Sequence, residues 1–152
     1  IHNAEQSIPY IEKLPGLPIT DGLKANINEP PTLPEMFDEK LVEVPLEQLA
    51  WARSGDKGDK ANIGVMARRQ AFFPWISASL TKSYVASRFE HFMASSSIDC
   101  FVLPGLPALN FVLHHALGGG GVASLRNDPQ AKGYAQILLD APVMIPESLL
   151  GA

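Results

Sequence analysis

Hydrophobic and polar residues alternate in two stretches near the middle of the chain, and this alternation predicts a pair of β-strands. In "LVEVPL", residues 41–46, apolar side chains occupy every second position until Pro45, where the phase shifts and indicates a bend or bulge. In "ANIGVMAR", residues 61–68, Ile63 and Val65 lie on one face. The opposite face carries Asn62, Gly64, Met66 and Arg68.

Two further stretches predict helices. In "FFPWISASLTKSYVASRFEHF", residues 72–92, apolar residues recur at helical spacing, and Pro74 is tolerated in a first turn. The predicted core contact of this long helix joins Phe73, Ile76, Leu80 and Phe89 to Ile63, Val65, Cys100 and Val102. "ALNFVLHHALGGGG", residues 108–121, predicts a shorter helix that the glycines terminate.

The remaining stretches complete an α+β pattern. "SIDCFVLPG", residues 97–105, and "VASLR", residues 122–126, predict strands. "GYAQILLDAPVMI", residues 133–145, fits a hairpin or a helix followed by a strand, and its glycine and proline favour the hairpin. The element order predicts a two-layer sandwich, with one mixed or antiparallel sheet covered on one face by two helices.

Residues 1–40 differ from the rest of the chain, because prolines at positions 9, 15, 18, 30, 31 and 34 interrupt every run. Apolar residues such as Ile8 and Tyr10 are too frequent there for a solvated linker. We therefore expect a proline-rich extended arm or interdomain linker over 1–40 that packs against another domain or subunit. One α+β domain is expected over 41–152, and the absence of an initial methionine favours a larger parent protein.

Composition narrows the classes of partner. Acidic residues outnumber basic residues 16 to 12, the formal net charge is −4, and no window clusters Lys and Arg, so nucleic acid is not an expected partner. No apolar run reaches the ~18 to 20 residues that a bilayer crossing requires, so we expect no membrane partner and a cytoplasmic location. The single cysteine, Cys100, lies in an apolar run where burial is usual.

Charged residues and glycines concentrate in "WARSGDKGDKANIGV", residues 51–65, between two predicted strands. The stretch lacks the Gly-Lys-Ser/Thr end of a phosphate loop and the alternate-residue ligands of a calcium loop. It is either a salt-bridged turn or a loop whose glycines let backbone N–H groups approach an anion. Under the second interpretation the ligand-binding candidates are Arg53, Ser54, Asp56, Lys57 and Asn62, with Asp56 and Asp59 orienting Lys57 and Arg53.

A second group of candidates lies on the shorter predicted helix, where Asn110 and His114 are four residues apart and share a face beside His115. An amide and an imidazole suit the polarisation of a thioester carbonyl, so Asn110 and His114 are catalytic candidates, although they could equally cap a helix end. No third ligand has convincing spacing, so no metal is expected. We expect the loop candidates to meet Asn110 or His114 in one polar patch.

Three stretches resemble the C-terminal part of the acyclic terpene utilization protein AtuA family: "LAWARSGDKGDKANIGVMARR", the helix containing "PW", and "ALNFVLHHALGGGGVASLRNDPQAKGYAQILLD". The resemblance covers roughly residues 41 to 147 and implies a ferredoxin-like α+β domain that follows a larger N-terminal domain. It also implies a link to citronellol and geraniol catabolism through acyl-CoA intermediates. Family members often have Gly where this chain has Ala131, and a residue other than His at position 115.

Three functional hypotheses follow from the resemblance and the candidate residues together. The first is an assembly and ligand-contact module for acyl-CoA intermediates, partnered by the larger AtuA domain or subunit and forming a homo-oligomer. The second is a contribution of catalytic residues to an acyl-CoA or carboxylate-processing site at a domain interface, within an enzyme that this chain does not constitute alone. The third is a small-molecule sensor domain. No cofactor is evident, and a coenzyme A thioester is the ligand considered.

Overall fold

The strands of the protein form two antiparallel sheets, which a computed structural model describes over residues 30–34, 39–93 and 97–151. The strands are β1 (Leu41–Pro45), β2 (Ala50–Lys57), β3 (Lys60–Ala67), β4 (Ile98–Val102), β5 (Ala108–Leu113) and β6 (Pro142–Pro146). One sheet has the strand order β2-β3-β5-β4, and β1 pairs with β6 in the other. Most of the expected arm over 1–40 lies outside the described residues.

The phase shift at Pro45 marks a change of sheet. The sequence predicted a bend or bulge in one strand, but the chain leaves β1 through a 3-10 turn at Leu46–Gln48 and enters β2 in the other sheet. Leu46 is fully buried, and its backbone N–H donates to the carbonyl of Ala141 just before β6. Buried Leu46 thus connects the segment between β1 and β2 to the segment that precedes β6.

The chain has four α-helices, which are α1 (Phe73–Ser79), α2 (Lys82–Phe89), α3 (Tyr134–Leu139) and the short α4 (Glu147–Leu150). The first three contact one face of the four-stranded sheet, and α4 contacts β6 of the other sheet. α3 lies against β2, α2 against β4 and α1 against β6. We call the covered side of the sheet the core face. Its fully buried side chains include Ala61, Ile63, Phe111 and Leu113.

The long helix predicted over 72–92 is two helices, and Thr81 explains the break. Its hydroxyl accepts a hydrogen bond from the backbone N–H of Tyr84 at 3.1 Å, the geometry of a helix N-cap. The predicted core face is nevertheless confirmed, since Ile76, Leu80 and Phe89 are at most 1 % exposed. The sequence periodicity found the buried residues and missed the cap between them.

The helix predicted over 108–121 is wrong, because residues 108–113 form strand β5. Leu109, Phe111 and Leu113 alternate into the core, and this period of 2 competes with the helical spacing of Asn110 and His114. The glycines at 118–121 therefore follow a strand and its turn.

Two smaller expectations also change. The stretch 122–126, expected to be a strand, begins within a 3-10 turn at Gly121–Ala123 and then has no regular structure. The stretch 133–145 is helix α3 followed by β6, which was the less favoured alternative. The α+β class with antiparallel pairing and helices on one face is confirmed, while the strands are divided between two sheets instead of one.

Candidate ligand-binding site

The second face of the four-stranded sheet is not covered by any helix in the described part of the chain, and we call it the open face. It carries the alternate side chains of each strand, which are Trp51, Arg53 and Lys57 on β2, Lys60, Asn62, Gly64 and Met66 on β3, Asn110 and Val112 on β5, and Asp99 and Phe101 on β4. Trp51 is 50 % exposed and Phe101 is 47 % exposed. Large apolar side chains left in solvent on a sheet face are typical of a contact surface.

A pocket of about 380 Å³ lies where the open face meets the edge of β2, and we call it the cationic pocket. Its lining residues are Arg53, Ser54, Gly55, Asp56, Lys57, Asn62, Gly64 and Lys132. Three of these side chains are cations and one is a carboxylate, so the lining carries a net positive charge in a chain whose net charge is −4. The net charge of the pocket lining is therefore opposite in sign to the net charge of the chain.

The cations of this pocket are not neutralised from within. Among the described residues, Arg53, Lys57 and the Lys132 ammonium group take part in no ion pair or side-chain hydrogen bond. Asp56 and Asp59 were expected to orient Lys57 and Arg53, and this expectation is wrong, because Asp59 bonds elsewhere and Asp56 forms no such pair. Unpaired cations that converge on a concave site favour an anionic ligand.

Lys132 reaches the pocket because a buried serine fixes the turn before α3. The Ser54 hydroxyl donates to the carbonyl of Ala131 at 2.6 Å and accepts from the N–H of Ala135 at 2.9 Å. The Asp128 carboxylate accepts from the N–H groups of Lys132 and Gly133. These bonds place the Lys132 ammonium 3.7 Å from where a Gly55 Cβ would lie.

The same turn holds an alanine in a conformation that favours glycine. Ala131 has a φ of +53°, in the left-handed region, and it is fully buried. The turn that presents Lys132 thus has a backbone that glycine would adopt with less strain. In this chain an alanine holds that conformation, and the bond from Ser54 helps to fix it.

Two carboxamides meet in the middle of the open face. The Asn62 Nδ2 donates to the Asn110 Oδ1 at 3.2 Å, across the β3–β5 pair. Asn110 Nδ2 has no partner among the described residues and remains able to donate. The contact brings one loop candidate together with one candidate from the segment that had been expected to be helical.

A second pocket of about 340 Å³ lies beside the cationic pocket, and we call it the apolar pocket. Its lining includes Trp51, Met66, Leu103, Leu106, Ala108 and Leu109, together with Arg53, Gly64 and Asn110. The Trp51 ring is held from one side by the Arg68 guanidinium, whose carbon lies 4.8 Å from the ring centroid. The two pockets share Arg53 and Gly64, so they adjoin on one face.

The tip of the β2–β3 hairpin packs against the glycine-rich loop 118–121. A Cβ on Gly120 would lie 2.1 Å from the carbonyl oxygen of Gly58, so only glycine fits there. The Asp59 carboxylate accepts from the N–H of Gly119 at 2.7 Å and bonds the His115 Nδ1 at 2.9 Å. The N–H of Gly119, followed by His115, lowers the pKa of Asp59 below its ordinary value of 3.8.

His114 lies directly after the end of β5 and bonds a different acid. Its Nε2 is 2.8 Å from the Oδ2 of Asp99, and the imidazole is 22 % exposed. Neither residue lines the cationic pocket or the apolar pocket. The catalytic candidates are thus separated, with Asn110 at the apolar pocket and His114 in a His–Asp pair.

The structure distributes the sequence-derived candidates among three places, which are the cationic pocket for Arg53, Ser54, Asp56, Lys57 and Asn62, the apolar pocket for Asn110, and the His–Asp pair for His114. Arg53, Lys57 and Asn62 are on the open face, whereas Ser54 is 8 % exposed and holds α3 from the core side. Sequence reasoning missed three residues, Gly64, Asp99 and Lys132. Only Gly64 had a readable signal, because a glycine at an outward position inside a strand marks close approach of another group.

The described residues contain no cluster of three or more His, Cys, Asp or Glu side chains that could hold a metal ion. Within the same residues, no helix combines the length and the apolar character needed to cross a bilayer. Both findings concern the described residues alone.

The fold and the site define the class, which is an antiparallel α+β domain whose open face carries a cationic pocket beside an apolar pocket. The family model for the AtuA ferredoxin-like domain matches residues 44–144 of the 152, more than half of the chain. The chain therefore belongs to the AtuA ferredoxin-like domain family. Comparisons with curated proteins and with solved structures found no match.

Proposed function

We propose that this domain is a ligand-contact and assembly module of an AtuA-type protein of acyclic terpene catabolism, and that it binds the anionic part of an acyl-CoA intermediate. The observation that carries the proposal is the cationic pocket, which Arg53, Lys57 and Lys132 line without an ion-pair partner among the described residues. Coenzyme A carries phosphate groups, which guanidinium and ammonium groups bind through charge-assisted hydrogen bonds.

Isothermal titration calorimetry with coenzyme A tests the anion site. Each charge-assisted bond is worth roughly 1.5 to 3 kcal/mol, so Arg53→Ala or Lys57→Ala should weaken binding by about tenfold or more. Lys82→Ala is the matched control, because Lys82 is an exposed lysine on α2, which covers the core face. Binding should also weaken as salt is raised. Absence of binding, or an equal loss in the Lys82 variant, would contradict the proposal.

The assembly part of the proposal is supported by the loop that follows the glycines. Val122 and Leu125 are fully exposed, at 108 % and 101 % of the reference area. Apolar side chains held entirely in water are costly unless a partner covers them, and the partner proposed is the larger AtuA domain or subunit. Val122→Ser with Leu125→Ser should weaken co-purification with that partner while the anion site still binds coenzyme A. Unchanged co-purification would contradict this part.

A second candidate function is catalytic and is favoured by the His114–Asp99 pair. An aspartate bonded to one imidazole nitrogen fixes the tautomer and orientation of the ring, as in general acid–base sites. Under this hypothesis His114→Gln abolishes turnover of an acyl-CoA by the intact protein, and Asp99→Asn lowers it and shifts its pH profile. Turnover that survives His114→Gln would eliminate this candidate.

A further inference from the structure

We infer that the ligand of this site is a free amphiphile that lies across β3, with its anionic group in the cationic pocket and an apolar chain in the apolar pocket. Gly64 is the residue that permits this crossing. The inference rests on the anion site proposed above and adds the ligand's second half and its path.

The two pockets adjoin and are opposite in character. They share Arg53 and Gly64. One is lined by cations that have no ion-pair partner in the described part of the chain, whereas the other is lined by Trp51, Met66 and leucines. An inorganic anion would use only the first pocket, and an uncharged hydrocarbon only the second. A molecule with an anionic end and an apolar end would use both, and it would desolvate the exposed Trp51 ring.

Gly64 has no structural reason to be glycine. Its backbone φ is outside the left-handed region, and a Cβ built on it would meet no atom nearer than the Arg53 carbonyl oxygen at 3.9 Å. Glycine inside a strand is destabilising relative to a residue with a side chain. The space above β3 that Gly64 leaves open is therefore best explained by a group that passes over it.

The residues that flank Gly64 fit the middle of such a molecule. Register places Arg53 on one side of Gly64 and Asn110 on the other. Asn110 has a free Nδ2 among the described residues, because its Oδ1 holds Asn62. An ester, thioester or phosphoester oxygen between the anionic end and the chain could accept from Asn110 or Arg53 at the crossing point.

Calorimetry with inorganic phosphate and with decyl phosphate, below its micelle-forming concentration, tests the inference on the whole chain. Burial of several methylene groups should make decyl phosphate bind about tenfold tighter or more than phosphate. Gly64→Val should lose most of this advantage, because the valine side chain occupies the crossing. Arg53→Ala should weaken both ligands.

The outcomes separate this inference from the proposed function. If phosphate binds but decyl phosphate gains nothing, or if Gly64→Val keeps the gain, the amphiphile inference fails and the anion site stands. If neither ligand binds, the anion site fails as well. Vesicles of phosphatidylcholine with phosphatidylglycerol test the other source of the same chemistry, and binding to vesicles without binding to dispersed decyl phosphate would overturn a free ligand.

A denaturation curve for Gly64→Val shows whether the variant folds. We expect it to be at least as stable as the parent chain, since valine favours a strand and a Cβ at this position meets no atom nearer than 3.9 Å. A second variant is Met66→Ser, because Met66 lines the apolar pocket and is absent from the lining of the cationic pocket. It should reduce the decyl gain and leave phosphate binding unchanged, and a full gain in this variant would contradict the placement of the chain.

Discussion

The two faces of the four-stranded sheet are made by the same strands and differ at every second residue. In β3, Ile63 is fully buried beneath the helices, whereas its neighbour Gly64 faces out and has no side chain. On the core face, volume is filled; on the open face, space and charge are left available. One alternating pattern can thus encode stability on one face and ligand contact on the other. Substitutions on the two faces should therefore affect stability and ligand binding separately.

The largest expected effect comes from two phenylalanines on opposite faces. Phe111 is fully buried on the core face, so Phe111→Ala should lower the free energy of unfolding by about 3 to 5 kcal/mol. Phe101→Ala, on the open face, should change it by less than about 1 kcal/mol. Urea denaturation measures both. Similar losses at the two positions would contradict the expected difference between the core face and the open face.

The contact between the hairpin tip and the loop 118–121 consists of polar residues and glycines. Substitutions in this contact should nevertheless lower stability as substitutions in the core do. Gly120→Ala places a methyl group against the Gly58 carbonyl and strains a φ of +71°, with an expected cost of about 2 to 4 kcal/mol. Gly121→Ala has a φ of +50° but open space, and should cost only about 1 to 2 kcal/mol. Equal thermal stability of the two variants would mean that the tip is not packed as described.

Ser54 differs from its neighbours on the core face, since it is a polar residue that is 8 % exposed. Ser54→Ala leaves the Ala131 carbonyl and the Ala135 N–H without their partner and should cost about 1 to 3 kcal/mol. Because the same bonds hold Lys132 in place, the variant should also weaken phosphate binding. Ser87→Ala, which removes an exposed helix hydroxyl, is the control and should be nearly neutral.

The smallest expected effect is a pH dependence at the hairpin tip. The pKa of Asp59 is lowered in the folded state, so its stabilising contribution is present above the unfolded value and is lost as pH falls through the folded value. Stability should therefore fall as pH is lowered below the ordinary value of 3.8. Asp59→Asn should show a shallower decline over the same range in a chemical denaturation series. An identical slope in the variant would show that other carboxyl groups account for it.

Sequence patterns predicted the core better than the element types. Apolar spacing identified Ile76, Leu80 and Phe89 correctly, because apolar residues that recur on one face of a helix are usually the ones that face the core. The prediction of helix was wrong at residues 108–113, because a short apolar run fits both the helical and the strand period. Pairing with β3 and β4 makes this segment a strand. Strand partners are distant in sequence, so local pattern could not supply them.

The candidate site was partly predictable for a related reason. Arg53, Lys57 and Asn62 lie on the two adjacent strands of one hairpin, within ten residues of the sequence, so they were found together. Lys132 enters the same pocket from a turn far along the chain, held by Ser54, and no local signal connects the two segments. The pairing of Asp59 with Gly119 and His115, instead of with a lysine, is likewise a consequence of tertiary contact.

If ligand contact is confined to the open face, decyl phosphate should shift the amide NMR signals of that face and leave those of the helices in place. We predict that the largest shifts fall on Trp51, Arg53, Gly64 and Lys132, with little change at the amides of α1 and α2. The indole N–H of Trp51 should shift and that of the buried Trp75 should not. Shifts centred on the helices, or on the loop around Val122 and Leu125 with the open face unchanged, would contradict the account.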